Sequence, residues 1–253
     1  MSVPAAVQLY SLREELSRDY RPVLEQVAGI GLAGVELAGV YLNGSPRETG
    51  ALVRDLGMTV CSAHMPPPVG ENRNQVFDTL GELETTHLVV PFFPPEQFTT
   101  RAAVLHICDI LNQSAAAARE HGVTLYYHNH WWEYEPIRET GERVYKVMLE
   151  NLDPSILFEV DTYWVKAGGA DPAAVVRELG ERVRLLHVKD GTANPQDAMV
   201  AVGSGVMDYP AVMGAASHIE WAIIELDRCE TDMLEAVRAS YDYLTGRGLV
   251  HGR

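Results

Sequence analysis

The chain alternates two patterns, and this alternation narrows the possible folds more than any other feature. Short apolar, β-rich runs occur at 5–9, 34–37, 58–63, 87–93, 123–127, 156–160, 183–188 and 221–226, eight in all. Amphipathic stretches of helical length and period lie between them, among them 20–30, 101–121, 172–181 and 231–245. Strands that alternate regularly with helices pair in parallel. Eight such units in 253 residues match the count and size of a (β/α)8 TIM barrel, so the expected class is α/β with one domain over 1–253. A doubly wound open sheet is the alternative, but no glycine-rich phosphate fingerprint follows the first strand.

Local punctuation agrees. Asp171-Pro172 and Asp208-Tyr209-Pro210 each offer an N-cap with proline in the first helical turn. Gly57, Gly122 and Gly246 stand where helices should stop. Gly203-Ser204-Gly205 reads as a flexible part of the loop before the Asp208 helix start. No linker, repeat or low-complexity tract divides the chain.

Charge and cysteine content exclude several partners. A net charge of −15 leaves no basic footprint for a phosphate backbone, which argues against nucleic acid. No apolar run is long enough to cross a bilayer, and the start MSVPAAVQLY lacks the basic and apolar regions of a secretory signal. The three cysteines, Cys61, Cys108 and Cys229, are too few and too scattered for a disulfide framework. A cytoplasmic protein is expected. The acidic surface is compatible with a monomer or a homo-oligomer.

In a barrel of this kind chemistry belongs at the C-terminal strand ends. In order these present Gln8 and Tyr10, Glu36, His64, an aromatic and proline-rich fourth end, then His128, His130 and Glu133. The last three ends carry Glu159 and Asp161, His187, Lys189 and Asp190, and Glu225 and Asp227. A lone histidine or glutamate at such a place is most often a satisfied hydrogen-bonding group. Convergence changes that reading. Asp161, His187 and Glu225 form a mixed oxygen and nitrogen set suited to Mn2+, Mg2+, Co2+ or Zn2+. Carboxylates gathered on an already acidic barrel are costly without a cation.

Other features get plainer readings. Cys61 and His64 have a C-x-x-H spacing with no second pair, so Cys61 is expected to be a small buried residue. Trp131, Trp132 and Trp164 serve either as packing or as flat walls for a sugar ring.

Eight segments taken together resemble one family. They are VQLYSLRE, GVELAGVY, SAHMP, YHNHWWEYE, FEVDTYWVKAGGADP, LLHVKDG, VGSGVMDYPAV and IIELDRCETDMLEAVRASYDYL. The set is similar to the xylose-isomerase-like TIM barrels of the sugar phosphate isomerase/epimerase group, which includes inosose dehydratases and ketose 3-epimerases. The resemblance implies a divalent metal, often manganese, held by an acid after strand five, Asp161, His187 and Glu225. Many relatives have glutamate where this chain has His128, so the strand-five ligand falls on Glu133, which keeps the carboxylate count, or on His128 itself. The epimerases place a histidine three residues after the aspartate, and here that position is Trp164, which argues against a simple ketose 3-epimerase.

The chemistry expected of such a site is proton abstraction beside a carbonyl of a small carbohydrate, through a metal-stabilised enediolate. Isomerisation, epimerisation and dehydration share that step. The acid/base candidates are His130 and Lys189, then Glu159. Gln8, Glu36, His64, His128, Trp132 and Trp164 are the expected substrate-binding groups. The alternatives are cleavage of a keto-glycoside on the same scaffold, or a sugar-binding subunit without activity. Few basic residues stand near strand ends, which favours an unphosphorylated sugar, with Arg138, Lys166 and Arg228 within reach from loops.

Overall fold

A computed structural model describes residues 2–38 and 44–253. Eight parallel strands close on themselves: β1 (Val3–Gln8), β2 (Gly34–Ala38), β3 (Thr59–His64), β4 (His87–Val90), β5 (Thr124–His128), β6 (Leu157–Asp161), β7 (Val183–Val188) and β8 (Trp221–Ile224). Each pairs with the next in sequence, and β1 pairs with both β2 and β8, which closes the barrel. A two-residue strand, β9 (Val250–His251), adds to the outer end of β1 at Val3 and Pro4. The last three residues of the GVELAGVY segment lie outside the described residues.

The helices between strands are α1 (Arg13–Arg18), α2 (Tyr20–Ile30), α3 (Pro46–Asp55), α4 (Asn72–Leu83), α5 (Arg101–Glu120), α6 (Val144–Asn151), α7 (Thr162–Ala167), α8 (Pro172–Leu179), α9 (Tyr209–Ala215) and α10 (Met233–Gly246). Asp171 and Asp208 cap α8 and α9 as expected, accepting from Ala173 and Ala211 N–H at 3.0 Å each. Gly57 and Gly122 take positive φ, whereas Gly246 stays inside α10 and Gly248 supplies the left-handed residue, φ 67°. The fourth strand stops at Val90 rather than Phe93, because Pro91 has no N–H for the ladder. No helix among the described residues is long and apolar enough to cross a membrane.

One face of each strand packs on the helices. Val7, Val35, Leu88, Val90, Tyr127, Val160, Leu186 and Ile224 belong to this large outer core. The lumen holds its own smaller cluster of Ala6, Cys61, Val89, Tyr126, Leu185 and Ile223. Cys61 is buried there, as the sequence suggests.

Candidate active site

The two-residue period of a strand builds the site directly on that lumen plug. Two positions past Ala6, Tyr126, Leu185 and Ile223 come Gln8, His128, His187 and Glu225, on the same faces. Glu36 and Glu159 follow Gly34 and Leu157 in the same way. On β3 the register against β2 slips between Val35 and Glu36, whose partners are Val60 and Ser62. That bulge spends Cys61 as an extra residue, so Ser62 and His64 both reach the lumen side. A second slip, on β7 against β6, lies between Val183 and Leu185.

These side chains form one hydrogen-bonded network. Glu36 accepts from Gln8 Nε2 at 2.8 Å and from the Ser62 hydroxyl at 2.6 Å. His187 is held at both ends, with Nε2 2.7 Å from Glu36 and Nδ1 2.7 Å from Glu225. Glu159 Oε2 lies 2.7 Å from His64 Nε2 and 2.9 Å from His128 Nδ1. Its Oε1 has no hydrogen-bond partner among the described residues. Lys189 Nζ lies 3.0 Å from Asp161, 2.6 Å from Glu225 and 2.9 Å from Asp227.

Burial and charge pull the protonation states apart. Burial alone would raise Glu36, but His64 and His187 outweigh it and hold the carboxyl well below its usual range. Burial raises Glu159, and the neighbouring Glu36 charge adds to that. Burial opposes protonation of His64, yet Glu36 and Glu159 push it up to about 10. His187 is raised for the same kind of reason, by Glu159, Glu225 and Glu36 acting against burial. His130 goes the other way: burial and then the Lys189 charge push it down to about 3. Burial raises Asp161 to about 6, partly offset by Lys189.

Asp161, His187 and Glu225 each offer a ligand atom, all within 4.8 Å of one another. The donor set fits a divalent ion. His128 Nε2 lies 3.9 Å from Asp161 Oδ2, too long for a hydrogen bond but suited to two ligands that flank one ion at about 2.1 Å each. Glu36 against His187 and Glu159 against His128 stand where outer carboxylates would orient the two imidazoles toward an ion. Asn129, between the two histidines, accepts from Asp161 N–H and donates to Asp161 carbonyl, both at 3.1 Å, and so ties the β5 end to β6. Asp161 Oδ1 meanwhile caps α7 through Trp164 N–H at 2.9 Å, leaving Oδ2 for the site.

Glu133 is not part of this cluster. Its oxygens accept from the Tyr127 hydroxyl at 2.7 Å and the His130 N–H at 2.9 Å, and burial raises it to about 7. Among the described residues Glu133 offers no ligand atom to the cluster, and the strand-five side chain that approaches it is His128. A carboxylate on the short turn after β5 faces the outer core, because only the residue in strand register points into the lumen.

A cavity of about 420 Å³ opens above the network. Its walls are His64, His128, His130, Lys189, Glu225 and Asp227 on the polar side and Tyr10, Ala38, Pro91 and Phe92 on the other. Gln8, Glu36 and Glu159 lie beneath it, fully buried, so they set up the groups above and do not face the cavity. Trp132 and Trp164 also stand off. Trp132 stacks behind His130, ring centroids 4.3 Å apart, and Trp164 lies under Lys189 with Nζ 5.2 Å from its ring. The exposed flat wall is Phe92, edge-on to both His130 and Trp132. Ser62, Asn129, Phe92 and Tyr209 were not singled out from sequence. Tyr209 hydroxyl donates to Lys189 carbonyl at 2.6 Å and receives Lys189 N–H at 2.8 Å, a clamp that no local motif announces.

A closed parallel barrel with a polar, histidine- and carboxylate-rich mouth defines a (β/α)8 barrel of the TIM class. The xylose isomerase-like TIM barrel model matches residues 24–245, and the chain belongs to that family. A sugar phosphate isomerase/epimerase from Parabacteroides distasonis superposes with TM-score 0.85 at 24% identity, covering 99% of this chain and 96% of that one. The probable 3-DHS dehydratase AsbF from Bacillus anthracis superposes with TM-score 0.73 at 14% identity, covering 98% and 100%. D-psicose 3-epimerase does so with TM-score 0.68 at 13% identity, covering 96% and 99%. These likenesses establish the fold. A comparison with curated proteins finds no match.

Proposed function

We propose that this protein is a divalent-metal-dependent isomerase, epimerase or dehydratase acting on an unphosphorylated sugar, keto-sugar or inositol derivative. The observation that carries this reading is the meeting of Asp161, His187 and Glu225, with His128 beside them, at the floor of a cavity. These four residues would hold the ion, with Mn2+ the first candidate and Mg2+, Co2+ or Zn2+ the others. When bound, it would supply Lewis-acid polarisation of a substrate carbonyl.

The protein's own groups supply the rest. His64, kept protonated by Glu36 and Glu159, faces the cavity as a hydrogen-bond donor to a substrate oxygen. His130, kept neutral, faces it as a proton acceptor. Two imidazoles pushed in opposite directions make a donor and an acceptor in one site. Among the described lining residues Lys189 is the sole lysine or arginine, and it already faces three carboxylates, which supports a substrate without phosphate. Arg228 is turned away, donating to the Asp197 carbonyl at 3.1 Å. Phe92, half exposed at the mouth, favours as a second reading a keto-glycoside whose apolar aglycone is expelled after the same proton abstraction.

The test is metal analysis combined with solvent deuterium exchange over a panel of ketoses, inososes and keto-glycosides. The expected result is one ion per chain, lost in Asp161→Asn, and metal-dependent exchange of a substrate C–H. Bound metal with no exchange on any member of the panel would favour a binding subunit and overturn the catalytic reading.

A further inference from the structure

Lys189 is 1% exposed, and its ammonium touches carboxylates of two kinds. Asp161 Oδ2 at 3.0 Å and Glu225 Oε2 at 2.6 Å belong to the candidate ion set. Asp227 Oδ2 at 2.9 Å does not, and its side chain is 28% exposed at the cavity wall. A divalent ion on Asp161 and Glu225 and an ammonium within 3 Å of the same two carboxylates would compete for them and repel each other.

We propose that Lys189 is a resident counter-ion that a divalent ion displaces, with Asp227 as the carboxylate that receives the displaced ammonium. This rests on reading Asp161, His187 and Glu225 as a metal centre. The backbone of Lys189 cannot follow, because Tyr209 clamps both its N–H and its carbonyl. The move is therefore confined to the four-carbon stem, which starts with the ammonium 5.2 Å from the centroid of the Trp164 ring. Asp227 is held in place as well: its N–H meets Met199 Sδ at 3.3 Å, and its carbonyl accepts from Arg13 at 2.9 Å. Displacement exchanges three carboxylate partners for one and leaves the ammonium on the cavity wall. There Lys189 becomes a positioning group for a substrate hydroxyl or carbonyl.

Full-length protein stripped with a chelator is titrated with Mn2+ by calorimetry and with Co2+ by visible absorption, as wild type, Lys189→Met and Asp227→Asn. The expected result is binding at least tenfold tighter in Lys189→Met and several-fold weaker in Asp227→Asn. Ion binding in Lys189→Met with none in the wild type is the extreme form of the same result. Thermal melts give an independent readout: stripped Lys189→Met melts below stripped wild type, and Mn2+ closes the gap. If Lys189→Met fails to fold, Lys189→Gln replaces it and Asp227→Asn keeps its own outcome. Equal or weaker binding in the lysine variant, with the wild type binding normally, overturns the displacement and leaves the metal centre standing. Tighter binding there with no change in Asp227→Asn overturns the role of Asp227. Absence of binding in all three proteins overturns both the displacement and the metal reading.

Discussion

Glu133 and His128 stand five residues apart, and their surroundings set different tasks for them. Glu133 is a buried carboxyl whose proton-bound form is favoured in the fold, raised from 4.5 to about 7. A group raised on folding adds stability below its unfolded value and loses it as pH rises through the folded one. Glu133→Gln, which can accept from His130 N–H and donate to the Tyr127 oxygen, should therefore gain on wild type as pH rises from about 4.5 to 8. The expected gain is on the order of 2–3 kcal/mol, measured by urea denaturation across pH. A flat difference across that range would contradict the burial argument. His128→Ala should weaken Mn2+ binding by about 10- to 100-fold, whereas Glu133→Gln should leave it within a few-fold. Calorimetry on the two variants decides between the two strand-five candidates.

At the scale of elements, the segment between β7 and α9 departs most from its sequence reading. Gly203-Ser204-Gly205 reads as flexible, yet Gly203 and Gly205 N–H groups donate to Asp190 Oδ2 at 2.9 and 3.1 Å. Met207 and Gly191 N–H donate to its Oδ1 at 3.1 and 2.9 Å. One fully buried carboxylate thus gathers four backbone donors and fixes a loop that ends at the Asp208 cap and the Tyr209 clamp. Asp190→Ala leaves those donors without partners, at about 1–3 kcal/mol for each that stays buried. The expected outcome is a loss of at least about 3 kcal/mol in urea denaturation and new proteolytic cuts within 191–207. Gly203→Ala should also destabilise, because its φ is 92° and a Cβ would meet the Tyr243 ring at 2.3 Å.

At the scale of the molecule, the barrel works by layers: an apolar plug below, a charged network above it, and a cavity on top. Removing volume from the plug should be felt by the network. Ile223→Ala, two residues before Glu225 on β8, should cost about 2–5 kcal/mol. An ion held by Asp161, His187 and Glu225 with His128 would tie strands β5 to β8 together and should stabilise the whole barrel. At free Mn2+ a hundredfold above its dissociation constant the gain is about 2.7 kcal/mol, a rise in Tm of about 5–10 °C by calorimetric scan. An unchanged Tm under saturating ion would contradict a site shared between strands.

The eight-fold alternation, the caps at Asp171 and Asp208, and the convergence of Asp161, His187 and Glu225 were legible in the residues, because each depends on local period or on strand-end position alone. Strand register was not. The approach of His128 rather than Glu133 to the cluster, the bulge that brings Ser62 inward, and the retreat of Trp132 behind His130 all turn on which face a side chain takes. A shift of one residue reverses that face, and no composition or spacing records it. Closure of the barrel decided the remainder. Residues from β2, β3 and β7, remote along the chain, share protons in one network because a cylinder aims its inward faces at a common axis.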